Sequence, residues 1–267
     1  MNKGFCILAE NNYKTDYVRQ AYALACSIHK NNKNQYVSLI TDDDVPKQYK
    51  NVFDKIIPIP WGNLAVNSDW KIENRWKVYH LTPYENTFVM DADMLILEDI
   101  SDWWYKCSEH SVAFTTDVLT YRKDVVTTNY YRKTFVENNL PNLYSGLYYF
   151  KKSSVAKEFF ALVEIISKDW QIFYKQFASK SKQKWQSFDL NCAIAYKLLD
   201  LPNVKTPLTF THMKPHAQHW ENVPEKWTDY LDVYLDEHIY LGNFTQKGVL
   251  HYVEDEFLTD ELLEHFK

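Results

Sequence analysis

Residues 75–97 read Arg75-Trp-Lys-Val-Tyr-His-Leu-Thr-Pro-Tyr-Glu-Asn-Thr-Phe-Val-Met-Asp91-Ala92-Asp93-Met-Leu-Ile-Leu97, and this stretch decides the fold. Residues 73–81 read as a helix. Residues 87–90, Thr-Phe-Val-Met, form a short apolar run of strand length. Asp91 and Asp93 stand at the carboxyl end of that strand, which is where open α/β sheets hold their ligands. Two carboxylates one residue apart can reach the same divalent cation. Hard oxygen ligands suit Mg²⁺ or Mn²⁺, and such an ion neutralises a departing diphosphate. The triplet alone is weak, because average residue usage gives roughly one Asp-x-Asp in a chain of this kind by accident. Asp42-Asp43-Asp44 is such an accident and reads as a turn before Pro46. The apolar strand before residue 91 and the run Met94-Leu95-Ile96-Leu97 after residue 93 lift the second triplet above it.

Outward from this stretch the pattern alternates. Residues 5–9 form a buried strand. Residues 16–30 place Val18, Ala21, Tyr22, Ala25 and Ile28 at helical spacing. Residues 36–40 and 53–60 are two further strands. Strand, helix, strand, strand, helix, strand predicts an α/β fold with a mostly parallel central sheet flanked by helices. The second half is less regular. Strands are expected at 111–115, 147–150 and 248–253, helices at 155–170 and 189–199, and a loop at 179–184.

Bulk properties narrow the function. The 267 residues, 46% of them hydrophobic, suffice for a large core, and five glycines with no G-x-G-x-x-G or GKS/GKT argue against a dinucleotide dehydrogenase or P-loop NTPase. A net charge of -5 argues against a protein that coats nucleic acid by bulk charge. Cys6, Cys26, Cys107 and Cys192 are scattered, as expected of reduced, buried thiols. No signal peptide is read at the start, where the apolar run 5–9 meets Glu10 at once, and no run approaches the roughly 18 apolar residues of a membrane span. The expectation is a soluble cytoplasmic protein, in the host cytoplasm if it is viral.

The block 75–97 resembles the glycogenin-like, family 8 retaining glycosyltransferases of the GT-A fold, matching their basic residue, helix, Leu-Thr-x-Tyr, strand and Asp-x-Asp. The resemblance implies a single GT-A domain over 1–267, with a nucleotide-sugar-binding half at 1–110 and an acceptor-side half at 111–267. It implies that Asp91, Ala92 and Asp93 face the metal and the sugar nucleotide. It places Arg75 at the donor sugar or phosphate, with Lys77 as the spare candidate. Ala9, Asn11 and Tyr17 occupy the place of the nucleoside cradle, with the tyrosine stacking on the base. Residues 144–150, Tyr-Ser-Gly-Leu-Tyr-Tyr-Phe, resemble the family's Asn-Ser-Gly strand, which puts Ser145 and Gly146 at the donor and Tyr144 where the family has Asn. Phe188-Asp189-Leu190-Asn191 resembles its Asp-Gln-x-x-x-Asn block, with Asp189 beside the reacting sugar and Leu190 in place of Gln. The family's late His and following Lys-Pro are split here. Leu250-His251-Tyr252 carries one and Lys214-Pro215, after His212, the other. His251 ends an apolar strand and is the favoured third metal ligand, with His212 second.

The function expected is metal-dependent transfer of a sugar from a nucleoside-diphosphate sugar, a UDP-sugar first, to a hydroxyl acceptor with retention. The acceptor is a glycan or lipopolysaccharide, or a hydroxylated DNA base as for phage-type DNA glycosyltransferases. The second choice rests on Lys168, Lys175, Lys180, Lys182 and Lys184 interleaved with Trp170, Phe173, Tyr174 and Phe177. Two alternatives differ in class. One is a non-catalytic binding module. The other is a haloacid dehalogenase-type phosphatase, in which Asp91 would be the nucleophile. That motif normally opens its fold, whereas here some ninety residues precede it.

Overall fold

The computed structural model describes residues 2–69, 71–127, 132–181, 183–202, 204–218, 220 and 226–267. Six strands build the main sheet. They are β1 (Lys3–Leu8), β2 (Val37–Ile40), β3 (Lys55–Ile57), β4 (Asn86–Asp91), β6 (Val112–Thr115) and β7 (Tyr144–Lys151), in the order β3-β2-β1-β4-β7-β6. The first four run parallel, and β7 is antiparallel to both β4 and β6. The mostly parallel sheet expected from the alternation is what forms.

Both faces of this sheet are covered, which is why its strands are apolar throughout rather than at alternate positions. The period of two still sorts the side chains. Phe5, Ile7, Phe88, Met90, Leu147 and Tyr149 enter one core, while Cys6, Val89, Tyr148 and Phe150 enter the other. The first core is closed by α1 (Tyr17–Asn31), α3 (Asp102–Cys107) and α8 (Asp260–Phe266). The second is closed by α5 (Ser154–Lys168), α6 (Trp170–Phe177) and α7 (Phe188–Leu198). Helix α1 starts where the sequence pattern puts it, because the Asp16 side chain accepts from the Arg19 amide at 2.9 Å.

Several expected elements change shape. The helix read at 73–81 is a 3₁₀ turn, Arg75–Lys77, followed by the one-turn α2 (Val78–Leu81), and Pro83 prevents its extension. The strand read at 53–60 shrinks to β3, since Pro58 and Pro60 have no N–H to donate to a ladder. The helix read at 155–170 ends at Lys168, and α6 starts after Asp169, whose φ of -117° and ψ of 31° interrupt the helix. A short α4 (Lys133–Glu137) lies before β7.

Two small sheets complete the second half. One runs β5-β12-β8, from β5 (Met94–Ile96), β8 (Thr211–His212) and β12 (Val249–His251). The other runs β11-β10-β9, from β9 (Val233–Leu235), β10 (Ile239–Leu241) and β11 (Phe244–Thr245). Strand β5 carries the chain from the main sheet into the first small one directly after Asp93, and so brings two sheets together at the acidic pair.

From Lys168 to Phe177 the lysine and aromatic interleaving follows the end of α5 and all of α6, and Lys180 and Lys184 lie beyond the helix. Lys168, Lys175, Lys180 and Lys184 are exposed, while Trp170, Phe173 and Phe177 pack against the second core and Tyr174 is buried in it. The rings of Trp170, Phe173 and Phe177 are partly buried and keep part of their surface exposed. Lys182 lies outside the described residues. All four cysteines are free and buried. Among the described residues no helix is long and apolar enough to cross a membrane.

Candidate functional site

The main sheet delivers Asp91. Parallel pairing sets Asp91 opposite Leu8 at the carboxyl end of β4, facing the Arg75 turn, and Arg75 Nη1 lies 2.9 Å from Asp91 Oδ1. Beyond Asp93 the chain enters β5. There the Tyr252 amide donates to the Asp93 carbonyl at 3.1 Å, and β12 pairs His251 with Met94. This register brings His251 Nε2 to 3.1 Å from Asp93 Oδ1. Parallel pairing of β12 with β8 then sets His212 beside His251, their rings stacked at 5.0 Å. Both sequence candidates for the third ligand are therefore neighbours. The one aimed at the carboxylates is His251.

The potential ligand atoms of Asp91, Asp93 and His251 lie within 4.8 Å of one another. Two carboxylate oxygens and an imidazole nitrogen fit a hard or borderline divalent cation such as Mn²⁺ or Mg²⁺. The electrostatics agree with a site built for positive charge. Burial pushes the Asp91 carboxyl above its ordinary range, and Arg75 opposes this only in part. Burial acts the same way on Asp93, but His251 and Lys214 outweigh it and hold that carboxyl below the usual range. His251 Nδ1 is buried with no hydrogen-bond partner among the described residues.

A cavity of about 630 Å³ opens from this cluster. Of the residues singled out from sequence, Tyr17, Arg75, Asp91, Ala92, Asp93, Ser145, Gly146, Asp189, His212, Lys214 and His251 line it. Burial pushes the Tyr17 hydroxyl up to about 12, so that ring enters the cavity as a neutral phenol. Gly146 is required by space, since a Cβ there would stand 2.9 Å from Met94 Cε and 3.1 Å from Asp91 Oδ2. Asp189 sits in the first turn of α7, whose N-cap is Ser187. Its Oδ1 accepts from the Ser145 amide at 2.8 Å and from the Ser145 hydroxyl at 2.5 Å.

Three of the expected residues lie outside the cavity wall. Ala9 is buried behind it, its amide donating to the Ile40 carbonyl at 3.0 Å. Asn11 shapes the loop above α1: its Oδ1 accepts from the Val18 amide at 3.0 Å and its own amide donates to Asp43 Oδ2 at 2.6 Å. The acidic turn read at residues 42–44 thus pins this loop. Lys77 is buried, and its ammonium donates to the Pro60 and Gly62 carbonyls at 3.0 and 2.6 Å, away from the cavity.

Three charged lining residues were not singled out from sequence: Glu10, Arg132 and Lys71, whose ammonium donates to the Ala65 and Val66 carbonyls at 2.7 and 3.0 Å. Glu10, between Ala9 and Asn11, accepts from Asn74 Nδ2 on both oxygens at 3.1 and 3.0 Å, and burial raises its carboxyl. Its position in the cradle segment was the available signal. Arg132 reaches Asp189 Oδ2 at 2.5 Å. No local pattern marks it, because its partner lies 57 residues on in the sequence.

No family model matches the sequence, and no curated protein matches it. Solved structures do. The chain is similar to the galactosyltransferase LgtC in complex with donor and acceptor sugar analogs, at 11% identity and a TM-score of 0.52, covering 98% of this chain and 95% of that one. It is also similar to the glycosyltransferase GlyE of Streptococcus pneumoniae TIGR4, at 11% identity and a TM-score of 0.42. That match covers 74% of this chain, which spans only 43% of the GlyE chain's length. A third match is mouse xyloside xylosyltransferase 1 in its apo form, at 9% identity, a TM-score of 0.45, and 78% and 85% coverage. The fold is that of GT-A glycosyltransferases such as LgtC.

Proposed function

We propose that this chain is a metal-dependent glycosyltransferase. It moves a sugar from a nucleoside-diphosphate sugar, a UDP-sugar first, to a hydroxyl of a glycan or lipopolysaccharide acceptor, with retention at the anomeric carbon. The observation that carries the reading is the convergence of Asp91, Asp93 and His251 on one cavity that also receives Arg75, Lys214 and Tyr17. The shared fold with LgtC, a protein described with donor and acceptor sugar analogs, supports it.

The work is divided among the cavity residues. Tyr17 offers its ring to the nucleoside base, on a loop shaped by Ala9 and Asn11. Asp91, Asp93 and His251 would hold Mn²⁺ or Mg²⁺, which supplies positive charge to the leaving diphosphate. Arg75 and Lys214 add fixed positive charge on the phosphates, in a cavity where such charges count for more than in water. Ser145 and Gly146 leave room at the sugar, and Asp189 borders it. In this scheme residues 1–110 make the nucleotide side, and 111–267 supply the acceptor side together with Lys214 and His251. The phosphatase alternative is not favoured. The solved structures named above that share this fold are glycosyltransferases, which supports the transferase reading instead. The packing of the 168–184 rings against the second core weakens the stacking argument for a DNA acceptor.

The test is a screen of UDP-, GDP- and CMP-sugars for thermal stabilisation and slow sugar release, with and without Mn²⁺, on wild type and Asp93→Asn. Metal-dependent stabilisation and release that disappear in Asp93→Asn support the proposal and name the donor. No response to any donor with any metal rejects it.

A further inference from the structure

Arg132 is held on every side. Its Nε donates to Asn142 Oδ1 at 2.7 Å, its Nη2 to the Leu143 carbonyl and its Nη1 to Asp189 Oδ2. The guanidinium carbon lies 4.0 Å from the Phe135 ring centre and 3.8 Å from that of Tyr144, so the planar group is sandwiched between two aromatic faces. The side chain is 7% exposed. A cation this enclosed is a fixed strut.

The strut acts on Asp189. A carboxylate offers about four lone-pair sites, two on each oxygen. Ser145 fills both on Oδ1, with its amide and its hydroxyl. Arg132 fills one on Oδ2. What remains is one acceptor site on Oδ2, in a residue that lines the cavity. We infer that Arg132 is the positioning residue for Asp189: it turns that carboxylate into a fixed single acceptor for one hydroxyl of the bound sugar. The inference rests on the transferase reading and deepens it. Asp189 then orients the sugar through a hydrogen bond and forms no bond to it. Tyr144, where the resembled family carries Asn, has its ring committed to the guanidinium.

The experiment compares wild type, Arg132→Ala, Arg132→Lys, Asp189→Asn and the double variant Arg132→Ala/Asp189→Asn. Each is measured for sugar release from the donor and, separately, for UDP binding with Mn²⁺. Misplacing a reacting group by about 1 Å costs roughly 100-fold in rate, which is the loss expected for Arg132→Ala, with UDP affinity within about threefold of wild type. Arg132→Lys is expected to lose turnover as well, since an ammonium cannot reach Asp189, Asn142 and the Leu143 carbonyl together. In the Asp189→Asn background the Arg132→Ala change is expected to cost less than about threefold more, because the residue acts through Asp189. Added guanidinium ion is expected to restore part of the rate to Arg132→Ala. An equal loss in both backgrounds, a fall in UDP affinity parallel to the rate, or a folded Arg132→Lys with full turnover would each overturn the inference. A wild-type chain that binds Mn²⁺ and UDP yet releases sugar from no donor overturns the transferase reading, and this inference with it.

Discussion

His251 Nε2 and Asp93 Oδ1 face each other across 3.1 Å, so the imidazole and the carboxylate hold one another where a cation would take both. Metal binding requires both groups without their protons. Burial raises the Asp91 carboxyl, so the metal-free protein keeps a proton there to higher pH than an ordinary aspartate does. That proton must leave as the metal enters, and affinity therefore climbs with pH over a window set higher than an ordinary aspartate's. Calorimetric titration with Mn²⁺ should show tighter binding near pH 7.5 than near pH 5, with protons released on binding. Asp93→Asn should weaken it more than about 100-fold, beyond what the loss of an outer-shell partner costs.

The two stacked histidines separate by function. His251→Ala removes the nitrogen aimed at Asp93 and should abolish Mn²⁺-dependent thermal stabilisation. His212→Ala leaves that nitrogen in place and removes a ring that stacks on His251 and packs on Phe210 and Tyr144. Its Mn²⁺ affinity should fall by less than about tenfold, the low end of an outer-shell effect. Equal losses in the two variants would make His212 a ligand in its own right.

Gly146→Ala probes the fit between β7 and the carboxylate. The new methyl meets Met94 Cε and Asp91 Oδ2. The thioether end can swing away, but Asp91 is tied to Arg75 and must shift with it. The expected result is a stability loss of about 1 kcal/mol, the low end of overpacking, with a larger proportional loss of metal and donor affinity. Unfolding by urea, read beside Mn²⁺ binding, separates the two effects.

Gly4→Ala probes the core alone. Its Cβ would lie 2.5 to 2.7 Å from three atoms of the Tyr84 ring, which is fully buried and whose hydroxyl is 2.7 Å from the Ser38 hydroxyl. The ring has no room to retreat. Destabilisation of about 2–3 kcal/mol is expected, at the upper end for overpacking. Mn²⁺ affinity of the folded fraction should not change.

The sequence announced the parts of this fold that are locally periodic. The strands β1, β2 and β4 and the helices α1, α5 and α7 appear at their expected places because apolar spacing and caps such as Asp16 are local signals. Asp91 and Asp93 were legible for the same reason, since a strand end is a position in sequence. What was not legible depends on pairings far apart. Met94 to Ile96 reads only as an apolar run, and its partnership with β12 exists only in the fold. Lys77 stands in sequence as the spare candidate for Arg75, two residues away. The 3₁₀ turn sends one to Asp91 and the other to the carbonyls of Pro60 and Gly62. Arg132 had no signal at all, because its role is set by Asp189, Phe135 and Tyr144 together.

Asp91 and Asp93 are made on the ribosome well before His251. With β5 paired to β12, the proposed cation site cannot close until β12 has left the exit tunnel and docked. At ordinary synthesis speeds the interval between the two is roughly 10–30 s. Through that time the nascent chain carries its acidic pair without the histidine that completes the donor set. A growing chain should therefore be blind to the ion until β12 docks on β5, and gain it in that one step.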